Sequence, residues 1–123
     1  MKLAKIALPV LLLTTSPLTA EPAPRLSPDQ IAIVYQQCLA RAAMNASRTD
    51  LSDEQVYPAA YQSCVPTRIE LQNRVSNVVE GEAKLKAIEA EAASTFAERT
   101  KKVRERRREF DAQLPKDRNA PNQ

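Results

Sequence analysis

The chain has 123 residues, 18 basic and 15 acidic, with no histidine, no tryptophan and a single glycine. This length holds one small domain, one glycine leaves little for hairpins to turn on, and the missing histidine removes the commonest general base and metal ligand. Five aromatic residues cannot fill a broad core, while abundant alanine, glutamate, arginine and glutamine favour long helices, so the expected class is all-α.

Residues 1–20 read as a secretory signal peptide. Lys2 and Lys5 supply the positive start, Ile6 to Leu13 the apolar core, and Leu18-Thr19-Ala20 a small residue at the cut. An apolar core of about eight residues falls far short of the ~20 needed to cross a bilayer. The expected location is therefore exported, periplasmic or secreted. Without Lys2 and Lys5 the remainder carries 16 basic and 15 acidic residues, a balance that gives no global nucleic-acid footprint, and no nucleic-acid partner is expected.

Residues 21–26, with Pro22 and Pro24, form an expected flexible lead-in. A pattern then occurs twice: Leu26-Ser27-Pro28-Asp29-Gln30-Ile31 with Tyr35-Gln36-Gln37-Cys38, and Leu51-Ser52-Asp53-Glu54-Gln55-Val56 with Tyr61-Gln62-Ser63-Cys64. Each copy is a helix start. Ser27 and Ser52 fit N-caps, Gln30 and Gln55 complete capping boxes, and Leu26/Ile31 and Leu51/Val56 occupy the two positions of a hydrophobic staple. Pro28 stands at the first helical position, where its missing N–H costs nothing. In the first helix Ile31, Val34, Tyr35, Cys38, Ala42 and Asn45 lie on or near one stripe.

Arg48-Thr49-Asp50 makes a turn short enough to predict an antiparallel pair over 27–65. Cys38 lies thirteen residues before Leu51 and Cys64 thirteen after it, so the pair brings both cysteines to one level. In an exported chain with two cysteines, a Cys38–Cys64 disulfide follows. The close spacing usual in a redox pair is absent, and two thiols without histidine are too few for a metal site, so neither metal nor cofactor is expected. Pro58 and Pro66 predict a kink and a second break, since each removes a backbone donor and crowds the preceding turn.

From 66 to 114 the pattern reads as one long, charged, coiled-coil-like helix continuing from the clamped hairpin. Leu71, Val78, Leu85 and Ala92 recur every seven residues with Val75 and Ile88 beside them; the seam then shifts by four and resumes at Phe96, Val103 and Phe110, with Leu114 one turn on. The candidate helix–helix seam is thus Leu71, Val78, Leu85, Phe96, Val103 and Phe110. Glu70/Arg74, Glu80/Lys84, Glu82/Lys86 and Glu98/Lys102 fall at ion-pair spacing on an exposed helix, and Gly81 marks an expected bend. Residues 115–123 read as a disordered tail. So narrow and long a seam outruns a hairpin of about twenty-residue helices, which predicts self-association or a partner protein.

The run Arg99, Lys101, Lys102, Arg104, Arg106, Arg107 and Arg108 holds one acid, Glu105. It suits either a solvated face flanking the seam or contact with anionic lipid or lipopolysaccharide. Phe96, Val103, Phe110 and Leu114 give a stripe too thin for a membrane-surface helix, which needs a broad apolar face. No serine, cysteine or lysine stands beside an evident activating partner, so no enzyme is predicted.

The two Leu-Ser-x-x-Gln copies, Leu26 to Gln30 and Leu51 to Gln55, resemble the doubled L-T-x-x-Q motif of a family of periplasmic, all-helical stress chaperones and sensors. Serine replaces threonine in both, and the resemblance covers ten residues. It implies a holdase-type chaperone or stress protein. In export, helix length and basic charge the chain is also similar to a trimeric periplasmic chaperone family with long helical arms. The principal expectation remains a non-enzymatic structural or partner-binding protein of the bacterial cell envelope that acts through its long helix, with chaperone activity and anionic-component binding as the alternatives.

Overall fold

A computed structural model describes residues 21–115, so the expected signal peptide and all but the first residue of the expected tail lie outside the described residues. The first helix, α1, spans Pro28–Ala46 and begins where its side chains dictate. Ser27 Oγ accepts the Gln30 N–H at 3.2 Å, while Gln30 Oε1 accepts the Ser27 N–H at 2.9 Å. The second helix, α2, spans Asp53–Arg74. There Ser52 N–H donates to Gln55 Oε1 at 3.0 Å, and the Gln55 N–H goes to the Ser52 carbonyl at 3.0 Å. The third, α3, spans Val78–Gln113, with Asn77 Oδ1 accepting the Glu80 N–H at 3.1 Å.

Each helix packs on the other two. Lys84 near the start of α3 pairs with Asp29 at the start of α1 (2.6 Å), and Arg104 far along α3 reaches Asp53 at the start of α2 (2.8 Å). The chain therefore runs up, down and up again, in a three-helix bundle rather than a clamped hairpin holding out a long helix. Ile31, Tyr35 and Leu39 from α1 meet Cys64 and Leu71 from α2, Val75 from the second connection, and Leu85 and Ala92 from α3. Cys38 and Cys64 are disulfide-bonded, with Cα atoms 6.0 Å apart, and tie α1 to α2 at mid-height.

The break between the last two helices falls at Val75-Ser76-Asn77, not at Pro66, and the helix expected over 66–114 is two pieces. Pro58 and Pro66 both lie inside α2. Both are exposed, as are Glu54 and Gln62 four residues earlier, so the carbonyls deprived of helix donors have water available. At the break, Val75 turns to extended backbone and stays 2 % exposed, and Asn77 restarts the helix as its cap.

The lead-in is also fixed at its end. Leu26 forms a parallel bridge with Val75, its N–H donating to the Arg74 carbonyl (2.9 Å) and its carbonyl accepting the Ser76 N–H (2.8 Å). Gly81 marks a close approach rather than a bend. A methyl group there would lie 2.6 Å from Val75 Cγ2 and 3.1 Å from Ile31 Cδ1, so only glycine lets α3 start this near the other two elements. With α3 covering a second side of α1, the buried stripe of α1 includes Leu39, whereas Val34 and Asn45 turn outward.

Candidate functional site

Among the described residues no group of three or more histidine, cysteine, aspartate or glutamate side chains is placed to hold a metal ion, and no helix is long and apolar enough to cross a membrane. The most connected polar group lies between all three helices. Arg68 of α2 donates through Nε to Glu89 and through Nη2 to Glu82 (2.9 Å), both on α3. Gln72 Nε2 adds a bond to the second oxygen of Glu82 at 2.6 Å, and the Tyr35 hydroxyl of α1 donates to Glu89 at 2.9 Å. Burial, then the bond to Glu89, push the Tyr35 phenol well above its ordinary range. The bonds from Arg68 and Gln72 hold the Glu82 carboxyl below its own. Each carboxylate is engaged by a guanidinium and a neutral donor. This group braces the bundle: it satisfies polar atoms that burial would otherwise penalise.

The basic run divides by where α3 carries each residue. Arg104 is drawn into the bundle end, where it donates to the carbonyls of Ser47 (3.0 Å) and Thr49 (3.2 Å) and pairs with Asp53. Arg107 adds a longer bond to the Ser47 carbonyl at 3.4 Å. Both act on the C-terminal end of α1, whose last turn has no basic residue of its own. Two guanidiniums from α3 supply the positive charge that a helix C-terminus favours. Arg99 and Lys102 make exposed pairs with Glu91 and Glu98, each at 3.6 Å, which are worth little in water. Lys101, Arg106 and Arg108 have no ion-pair partner among the described residues.

The expected seam is likewise divided. Leu71 and Leu85 are buried but on different helices, and Val78 between them is 66 % exposed. The sevenfold spacing there is coincidence across a break. From Phe96 onward the stripe is continuous on α3. Phe96 packs edge-on to Tyr57 of α2, with centroids 5.8 Å apart, and forms the floor of a groove between α1 and α3. The groove, about 180 Å³, is walled by Ala40, Ala43 and Met44 on one side and Thr100 and Val103 on the other, with Arg99 at its edge. Beyond it the stripe leaves the cover of α1 altogether. Phe110 is 63 % exposed, and every residue from 108 to 115 is exposed.

Sequence reasoning placed Cys38, Cys64 and the α3 stripe, but missed the Arg68–Glu82–Glu89 brace and the Met44 side of the groove. The seven-residue interval between Glu82 and Glu89 was the available signal, since it puts two acids on one helix face. Of the four expected i,i+4 ion pairs, Glu70/Arg74, Glu82/Lys86 and Glu98/Lys102 form, while Lys84 is taken by Asp29 instead. No protein-family model matches the chain, and neither a curated protein nor a solved structure does.

Proposed function

We propose that this chain is an exported, non-enzymatic protein of the bacterial cell envelope whose work is to bind a protein partner through the C-terminal half of α3. The bundle is the mount for that surface. Its disulfide and its three-helix brace suit a small domain in an oxidising compartment, where a modest core needs additional ties. The export reading rests on the charged and apolar pattern of residues 1–20.

One observation carries the binding reading: the apolar stripe of α3 continues after the bundle that covers it has ended. Val103 and Phe110 repeat the seven-residue interval begun at Phe96, and Phe110 lies in a stretch, 108–115, that is exposed throughout, with Leu114 turning to extended backbone as the helix ends. An aromatic held in water adds nothing to the stability of the fold, and its place in line with Val103 and the groove supports the reading of a contact surface.

Photo-crosslinking in the producing cell tests the reading. A photoreactive residue at Phe110 is expected to give a discrete protein adduct, and one at Gln62, exposed on α2, is not. Equal patterns from the two positions, or lipid adducts alone at Phe110, would overturn it.

A further inference from the structure

Resting on that reading, we infer that the partner presents an acidic amphipathic helix, and that this helix lies along Phe96, Val103 and Phe110 with one apolar side chain in the groove between α1 and α3. Three features of the surface lead to this occupant. The first is its shape. The stripe is one residue wide and repeats at seven, which is the footprint of a second helix and too narrow for a bilayer surface. From Phe96 to Phe110 it extends about 21 Å at 1.5 Å per residue, which an 18-residue partner helix spans with about half a turn to spare at each end.

The second feature is the groove. At about 180 Å³ it is smaller than the ~300–1,000 Å³ typical of small-molecule sites, and its walls are the alanines and the methionine of α1 facing Phe96 and Val103. It takes one large apolar side chain, the usual anchor of a helix seated in a groove. Met44, 57 % exposed, adapts its unbranched side chain to whichever anchor enters.

The third is charge. Helical spacing sets the exposed Arg99 and Arg106 along one side of the stripe, while Arg107 on the other side is turned to the Ser47 carbonyl. The segment 99–114 holds seven basic and three acidic residues. Flanking positions of a helix pair select the partner by charge, so acids on the incoming helix are favoured and bases excluded. The same arginines argue against a second copy of the chain. A symmetric contact through this stripe would set each copy's arginines against the other's.

The test is a binding series on the full oxidised chain. Labelled 18-residue helical peptides would share a fixed sevenfold leucine repeat and differ only in flanks of glutamate, glutamine or lysine. The glutamate peptide is expected to bind at least tenfold more tightly than the glutamine peptide, to weaken as salt rises from 50 to 300 mM, and to leave the lysine peptide unbound. Phe110→Ser is expected to weaken it about tenfold. Arg99→Glu with Arg106→Glu is expected to do the same and to admit the lysine peptide. All three positions are exposed, and unchanged melting of the variants will show that the bundle is intact.

Equal binding of the glutamate and glutamine peptides overturns the inference. So does binding to phosphatidylglycerol vesicles with no peptide bound, which would assign the surface to lipid, or a sedimenting dimer that Phe110→Ser dissociates. If no peptide binds while Phe110 still crosslinks to a protein in the cell, the acidic-helix inference fails and the partner-binding reading stands. Failure of that crosslink removes the reading itself.

Discussion

Tyr35 shows at the scale of one residue how the bundle handles a polar atom in its core. Its ring is fully buried and its hydroxyl ends on Glu89, which Arg68 also engages. The folded state therefore holds the phenol proton more tightly than the unfolded chain does. Stability from this source is complete below the ordinary phenol value of about 10 and is lost as pH rises above it toward the folded value. Alkaline unfolding is expected to be less steep above pH 10 in Tyr35→Phe than in the parent. At neutral pH the same change is expected to cost about 1 kcal/mol, because Glu89 loses a donor. Glu82 acts at the other end of the scale. Arg68 and Gln72 depress its pKa, so its contribution is present above the ordinary carboxylate range and lost as pH falls through the depressed value.

At the scale of the element, the starts of α1 and α2 were readable from short stretches because capping is local chemistry. Ser27 with Gln30, and Ser52 with Gln55, need nothing from the rest of the chain. The start of α3 was hidden for the opposite reason. Its cap, Asn77, sits inside an unbroken apolar interval from Leu71 through Val78 to Leu85, and no proline or glycine punctuates 75–77. The two prolines that do stand nearby signalled a break that the exposed face of α2 absorbs.

The disulfide was legible from level-matching together with the even cysteine count of a chain read as exported, and its energetic consequence follows from sequence separation. Closing a loop between residues 26 apart is expected to stabilise the bundle by about 3–4 kcal/mol in the chain-entropy model. Urea titration with and without reductant checks this. The reduced chain should unfold at a markedly lower urea midpoint, and Cys38→Ala with Cys64→Ala should match it.

At the scale of the whole molecule, the residues that build the core and those proposed for recognition occupy different stretches of α3. Leu85 and Ala92 are core, Arg104 closes the bundle end, and every described residue from Arg108 to Pro115 is exposed. Truncation after Arg108 is expected to leave the unfolding free energy within about 0.5 kcal/mol of the parent, since the described residues it removes, 109–115, are all exposed, while abolishing binding of the glutamate peptide. A large loss of stability on truncation would place the tip within the fold. The candidate surface was partly readable because its stripe is periodic. Its α1 wall was not, since Ala40, Ala43 and Met44 become a wall only once α3 folds back alongside α1.

The bridge between Leu26 and Val75 gives the molecule a direction. It fastens the point of chain entry to the turn where α3 begins, while Arg99 to Arg108 lie 21 to 30 residues along that helix from Val78, about 32–45 Å away. Leu26 is thereby held at the pole where α1 and α3 begin, opposite the end where Arg104 reaches Asp53.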